Sequence, residues 1–198
     1  METHKGILIL GEMDGGKLVP VTIELLGIGR KLSDQLNEPL GLLLMGEKIG
    51  DLGQEAIAYG ADVVYMAEDP LLKEYNPDSY TEGVSQHCLK TLPSIVLLGH
   101  TDIGCDLAPR LNARLGGGLA MDCQDLTLDP STKRLVMTRP IFGGNAYART
   151  VSRNARPQMA TVRPKTFPPA LKDDTRKGAA SPVEWKVDPS SIKVTVAE

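Results

Sequence analysis

Short apolar runs without polar interruption recur along the first hundred residues. They lie at Ile7–Leu10, Leu42–Met45, 62–66 and Ile95–Leu98, and three of them end at a glycine. Runs of this length that do not alternate with polar residues are typical of strands buried on both faces. The pattern therefore predicts four strands of a parallel sheet.

The segments between these runs have helical spacing. In segment 20–36 the apolar positions 21, 25, 28, 32 and 36 fall on one helix face. Segments 50–58 and 79–92 predict two further helices, and Pro93 ends the second. Alternating strands and helices predict an α/β domain with a doubly wound, mostly parallel sheet. Gly27 and Gly29 lie inside the first helix, where we expect them to permit close packing.

The pattern changes after Gly118. Segments 125–129 and 134–138 alternate and flank a Pro-Ser turn, which predicts an antiparallel hairpin followed by two more strands at 146–152 and 158–162. The remainder is expected to be extended, with a surface segment at 166–180 and closing segments at 185–187 and 192–196. We expect one domain over residues 1–198, made of a βαβ core at 1–123, antiparallel strands at 124–165 and an extended tail at 166–198.

Composition and cysteine spacing exclude several classes of protein. The chain has 198 residues, 41% hydrophobic and 24% charged, which fits one globular core. No apolar run approaches the ~20 residues of a membrane helix, and no leader is recognisable. We therefore expect a cytoplasmic protein without a membrane span, or else a mature form from which a leader has been cleaved. Three widely spaced cysteines without a CxxC motif argue against a disulfide framework or a zinc site. Neither a catalytic residue nor a metal ligand is assigned.

The charge distribution is uneven. Residues 1–130 carry 9 basic and 20 acidic side chains, whereas residues 131–176 carry 10 and 2. The net charge of −3 argues against nucleic acid as a partner. Arginine forms forked contacts with anions, so the arginines of the basic segment predict an interface with a partner protein or a dinucleotide phosphate. The alternative is a solvated strand face that the acidic part neutralises. These arginines are Arg139, Arg149, Arg153, Arg156 and Arg163.

A second candidate site follows the fourth apolar run. Gly99, His100 and Thr101 lie between a predicted strand and a helix, where backbone N–H groups can meet the phosphate of an adenine nucleotide. The alternative is a tight capped turn without a ligand. Thr101, Asp102 and Asp106 are all candidate caps, and Pro109 favours Asp106 because proline is tolerated in the first helical turn.

Long ordered motifs in these segments are similar to one known family. The chain resembles the N-terminal domain of electron transfer flavoprotein alpha subunits. This resemblance implies an α/β fold of the adenine-nucleotide-hydrolase type. The residues that carry it are GHTDIGCDLAPRLNARLGGGLAMDC at 99–123, TRPIFGGNAYA at 138–148, RPQMATVRPKTF at 156–167, GADVVY at 60–65 and the opening strand with its acidic turn.

The resemblance also implies a role. In the family, the first alpha domain forms a heterodimer with a beta subunit and supports a second domain that holds FAD. Electrons pass from acyl-CoA dehydrogenases or other flavoenzymes through that FAD. The second domain opens with a Gly-Gly-Arg-Gly type segment, and this sequence stops at Glu198 before one. We therefore expect an electron-carrier scaffold, not an enzyme, with no FAD ligand among these residues.

Two other functions fit some of the residues. The turn at 99–101 fits a stand-alone adenine-nucleotide-binding module of the same fold. The thiols of Cys88, Cys105 and Cys123 fit a thiol-redox protein, although free cysteines are more often buried and structural.

Overall fold

A computed structural model describes residues 4–188, 190 and 192–194. The four helices are α1 (Pro20–Leu36), α2 (Leu52–Ala58), α3 (Pro77–Thr91) and α4 (Asp102–Leu115). The strands are β1 (Ile7–Leu10), β2 (Met13–Asp14), β3 (Lys17–Leu18), β4 (Leu40–Gly46), β5 (Val63–Glu68), β6 (Ile95–Gly99), β7 (Gly118–Cys123), β8 (Asp125–Leu128), β9 (Leu135–Ile141), β10 (Ala146–Val151), β11 (Gln158–Val162) and β12 (Ala179–Pro182).

A seven-stranded parallel sheet forms the centre of the fold, in the order β12-β5-β4-β1-β6-β11-β7. Strands β4 and β5 follow on one side of β1, whereas β6, β11 and β7 lie on its other side, so the order reverses between β1 and β6. The strands β8, β9 and β10 form a separate antiparallel sheet. The predicted doubly wound α/β class, with its antiparallel portion, is confirmed.

Two hydrophobic layers cover the central sheet. Along β1 the side chains of Ile7 and Ile9 pack with α1, α2 and the small sheet, whereas Leu8 and Leu10 pack with α3 and α4. All four are at most 3% exposed. A strand covered on both faces needs apolar residues at every position, which explains the continuous runs in the sequence.

One strand of the C-terminal part was predicted wrongly. Strand β11 was grouped with the antiparallel strands of segment 124–165, but it runs parallel between β6 and β7. All five of its residues are buried, and the Gln158 side chain accepts a hydrogen bond from the Leu135 N–H at 3.0 Å. The polar residues Gln158 and Thr161 keep the sequence of β11 from resembling that of a central strand. Both side chains are nevertheless fully buried, with hydrogen-bond partners. Strand β7 was not predicted at all.

The segment after β11 crosses the outer face of α1. The buried carboxylate of Glu24 accepts the backbone N–H groups of Lys165 and Thr166, at 3.0 and 3.1 Å. Gly27 permits this crossing, since a Cβ there would lie 3.0 Å from the Pro168 carbonyl oxygen. Gly29 permits the opposite contact, with β1 and β4. The role in close packing expected for both glycines is confirmed.

Asp62 ties this crossing segment to the sheet. Its carboxylate accepts hydrogen bonds from Arg30 of α1, from Arg176 of the crossing segment and from the Leu40 N–H of β4, at 2.7 to 2.9 Å. Burial alone would raise the pKa of Asp62, but these three donors outweigh it and hold the pKa below its usual value. Segment 166–180, expected to be a surface extension, lies at the surface but is anchored by part-buried polar contacts.

The tail ends as an ordered strap over α3. Strand β12 pairs in parallel with β5 and extends the sheet by one strand that the sequence did not predict. The indole of Trp185 then lies on Gly83, where a Cβ would be only 2.2 Å from the ring. Further on, Asn76 donates to the Val194 carbonyl at 2.7 Å. The extended segment expected at 192–196 is described only as far as Val194.

The contact between Trp185 and Gly83 gives a test of the strap. The variant Gly83→Ala places a methyl group inside the indole, so Trp185 must move, at a cost of about 1–3 kcal/mol in the free energy of unfolding. Because Trp185 is the sole tryptophan, its fluorescence emission should shift to the red. Leu89→Ala, at a position 63% exposed on the same helix, should change neither quantity. Unchanged emission in Gly83→Ala would contradict the docked strap.

Candidate functional site

The turn at Gly99, His100 and Thr101 lies where β6 ends and α4 begins. We call this end of the sheet, where the parallel strands terminate, the carboxyl edge. The turn is adjacent to the end of β1, at the point where the strand order reverses. Open α/β sheets bind ligands at this point.

Thr101, and not Asp106, is the N-cap of α4. Its hydroxyl accepts the Gly104 N–H at 3.1 Å, and the helix begins at Asp102. The preference for Asp106 was wrong because α4 accommodates Pro109 in its interior. A Cβ on Gly104 would lie 1.8 Å from the Gly99 carbonyl oxygen, so only glycine allows the helix to start this close to the strand.

A carboxylate of the chain itself occupies the space before this helix. The Thr101 hydroxyl donates to Glu12 Oε1 at 2.8 Å, and that oxygen lies 3.0 Å from the Cβ position of Gly99. Burial raises the pKa of Glu12 and nearby Asp102 adds to the rise, against the opposing effect of Thr101. A nucleotide phosphate at this turn would meet an acidic side chain, which disfavours it.

The cavity beside the turn is small and mostly apolar. Its volume is about 230 Å³, and its walls include Leu10, Met45, Leu98 and Leu107 together with Glu12. Cavities for cofactors and drug-sized ligands usually measure ~300–1,000 Å³. The residues at this edge therefore do not fit FAD, since the cavity is too small and Glu12 lies where the pyrophosphate would need N–H donors.

His100 has partners that are distant in the sequence. Its Nδ1 lies 2.8 Å from Thr161 Oγ1, and its Nε2 lies 3.8 Å from Asp122 Oδ1. The thiol of Cys105 lies 3.4 Å from Nδ1 and 3.6 Å from Nε2. The sequence showed no partner for His100, because Asp122 and Thr161 come from two strands whose positions were unknown.

Asp122 is itself held in place by an arginine. Arg163 donates two parallel hydrogen bonds to its carboxylate, at 2.8 and 2.7 Å. These hydrogen bonds lower the pKa of Asp122, and they outweigh the opposing effect of burial. The positive charge of Arg163 lowers the pKa further, so that it lies below its usual value. Asp122 has a φ of 62°, beside an irregular register between β7 and β11. Arg163 is thus engaged in an ion pair at the carboxyl edge.

The five candidate arginines do not form one patch. Arg163 lies at the carboxyl edge, whereas Arg156 lies just before β11 begins, at the opposite edge. Arg139 on β9 is half-buried, with its Nε unpaired. Arg149 and Arg153 are exposed and form no ion pair within the described part of the chain. Only these last two keep the free surface position that a partner interface needs.

Strand β10 presents an exposed face around Arg149. Tyr147, Arg149 and Val151 alternate along the strand and point to one side, and Tyr147 is 62% exposed. Phe142, in the turn before the strand, is 80% exposed. We call these four residues the β10 face. Strand β10 is also an edge strand of the small sheet, so its outer backbone groups are available for pairing.

Two of the three cysteines are structural. Cys88 and Cys123 are at most 3% exposed, and burial raises the pKa of each thiol to about 12. All three cysteines are free thiols. In the described ranges, no group of three or more metal-ligating side chains is arranged to hold a metal ion.

Comparison with known proteins identifies the family. The model of the electron transfer flavoprotein domain matches residues 7–189. The chain is 39% identical over 99% of its length to the electron transfer flavoprotein subunit alpha of Thermoanaerobacterium thermosaccharolyticum, and 40% identical over 88% to that of Megasphaera elsdenii. The chain belongs to the electron transfer flavoprotein domain family. The resemblance read from the motifs is therefore confirmed.

The chain spans little more than half the length of these two relatives. It covers 59% of the Thermoanaerobacterium subunit and 52% of the Megasphaera subunit. It is also 39% identical, over 83% of its length, to a protein of Acetobacterium woodii named lactate dehydrogenase (NAD(+),ferredoxin) subunit LctC. Relatives thus include electron carriers and a subunit named for an enzyme. Among the described residues, none of the helices has the length and apolar character needed to cross a membrane.

The half-buried carboxylate of Glu12 gives a test of the turn. Because the folded-state pKa of Glu12 is raised, its ionisation destabilises the fold above that pKa and has no effect below its ordinary value of 4.5. The variant Glu12→Gln keeps an acceptor for Thr101 without the charge. It should raise the free energy of unfolding at pH 7, with a difference that shrinks towards pH 4, as measured by urea unfolding.

The control for this test is Glu184→Gln, at a side chain 73% exposed. It should stay within about 0.5 kcal/mol of the unsubstituted chain at both pH values. A loss of stability in Glu12→Gln at pH 7 would show that the ionised carboxylate stabilises the helix terminus.

Proposed function

We propose that this chain is the scaffold portion of an electron transfer flavoprotein alpha-type subunit. In this role it pairs with a beta-type subunit and supports electron transfer through FAD that other residues hold. The observation that carries the proposal is the match of residues 7–189 to the family, with relatives named as alpha subunits across nearly the whole chain. The chain would act as an electron-carrier subunit and not as a catalyst by itself.

The carboxyl edge supports the exclusion of flavin from this chain. At the usual ligand position of the fold, the cavity is small and mostly apolar, and Glu12 lies in its wall. No described cavity at that edge therefore suits a dinucleotide. FAD would supply one- and two-electron chemistry in the complete protein. What this chain's residues contribute is a rigid platform, since the sheet carries two packed layers and its tail is strapped over both faces.

The β10 face is the surface proposed for the beta-type partner. It combines two aromatic side chains with an unpaired arginine, and aromatic residues and arginine are enriched at the centres of protein interfaces. The electron donors would be acyl-CoA dehydrogenase-type or other flavoenzymes, as the resemblance implies. A cytoplasmic location stays a prediction.

A stand-alone adenine-nucleotide module has less support. Its phosphate site would be the start of α4, where Thr101 and Glu12 already satisfy one another. The His100 N–H is also engaged, donating to the Val162 carbonyl at 2.7 Å. The backbone N–H groups of His100 and Gly104 are therefore already occupied and cannot both turn to an anion without losing these bonds.

Binding of the partner tests the proposal. We expect the unsubstituted chain to form a stoichiometric complex with the beta-type subunit of the same source. The variants Tyr147→Ala and Arg149→Glu should each weaken it by about tenfold or more, because they remove an aromatic contact and reverse a charge. Calorimetry or surface plasmon resonance measures the affinity.

Leu171→Ala is the matched control for these variants. Leu171 is 91% exposed and lies on the segment that crosses α1, where it lines a cavity with Asp125 and Leu126 of β8 but with no residue of the β10 face. Its substitution should leave the affinity unchanged. Failure of the unsubstituted chain to bind would refute the pairing, whereas equal affinities of all variants would refute only the β10 face.

A further inference from the structure

A thiol, an imidazole and a carboxylate meet at the carboxyl edge. Cys105 Sγ lies within 3.6 Å of both ring nitrogens of His100, and His100 Nε2 lies 3.8 Å from Asp122 Oδ1. Cys105 is half-buried, unlike Cys88 and Cys123. A nucleophile beside a base that a third group orients is the arrangement that activates a weak nucleophile.

We propose that Cys105 is a site of reversible S-thiolation by small disulfides, with His100 as the base that removes the thiol proton. The hydroxyl oxygen of Thr161 already accepts the Asp122 N–H at 2.9 Å and can also accept His100 Nδ1–H. This tautomer leaves Nε2 free to receive the proton from Cys105. Asp122, held by Arg163, then faces the charge that develops on the ring.

The step is balanced with a disulfide as the only co-reactant. The proton of Cys105 moves to His100, and Sγ attacks one sulfur of the disulfide. A new S–S bond forms to Cys105 while the old S–S bond breaks, and the leaving thiolate takes the proton back from the imidazolium. The products are a mixed disulfide on Cys105 and one free thiol, and an added thiol reverses the reaction.

The charges around Cys105 explain why its thiol needs His100 as a base and which disulfides it should prefer. Burial and the carboxylates of Asp102, Asp122 and Glu12 raise the pKa of the Cys105 thiol. Without His100, this thiol should therefore react more slowly than an ordinary one. The remaining charges facing the cluster are Arg163, already paired with Asp122, and Arg139 on β9, which favours ionised Asp122. The acidic surroundings favour cationic or neutral disulfides over anionic ones.

Thiolation rates of the 198-residue chain test this proposal. The probes are cystamine, bis(2-hydroxyethyl) disulfide and 5,5′-dithiobis(2-nitrobenzoate), which are cationic, neutral and anionic. Each rate is divided by that of N-acetylcysteine with the same probe. Intact-mass spectrometry with peptide mapping should show one adduct, at Cys105, with relative rates that decrease from the cation to the anion. Adducts at Cys88 or Cys123 in comparable yield, or a reversed charge order, would overturn the proposal.

A histidine variant separates catalysis from mere proximity. In His100→Gln the cystamine rate at pH 7 should fall about tenfold or more. His4→Gln is the control, since His4 precedes β1 at the opposite edge of the sheet, and its rate should not change.

The pH profile gives a readout that does not depend on the stability of the variant. With His100 acting as the base, the rate of the unsubstituted chain should rise by clearly less than tenfold per pH unit. A rate that depends on thiolate alone rises about tenfold per pH unit up to the thiol pKa. An unsubstituted chain with the steep profile, or a His100→Gln variant with the original rate, would overturn the role of His100.

Discussion

Gly104 has no side chain, and this lets the first turn of α4 pack directly against the carbonyl of Gly99. The geometry of the carboxyl edge depends on this contact. It brings the Thr101 hydroxyl between the helix terminus and Glu12, and it places Cys105 beside the ring of His100. A site that could receive a phosphate is thereby closed by the protein's own carboxylate.

The tail joins several elements of the first half of the chain. After β11 it donates backbone hydrogen bonds to Glu24, and Arg176 then pairs with Asp62. Further along, β12 pairs with β5, and Trp185 packs on α3. Each contact joins the tail to an element of the first half of the chain. The basic segment after residue 130 thus meets the acidic half through a few specific pairs, and leaves Arg149 and Arg153 at the surface.

The sequence predicts the parallel core well, because strands buried on both faces are continuously apolar. Prediction from the sequence fails where the buried side chains are polar. Gln158 and Thr161 are buried and hydrogen-bonded, so β11 does not look like a central strand. Likewise, the partners of His100 come from β7 and β11, and no local pattern reveals contacts between residues so far apart in the chain. The family motifs identify the protein's relatives, but the positions of the five arginines follow only from the fold.

We propose that this chain is a platform for a flavin that it does not itself hold. The most direct test is native mass spectrometry, with an absorbance scan, of the protein purified from its own source. We expect a complex with a beta-type subunit, and a flavin absorbance near 450 nm that stays with the other components when this 198-residue chain is separated. Flavin that stays bound to the isolated chain would contradict the account, as would a chain that arrives alone and colourless.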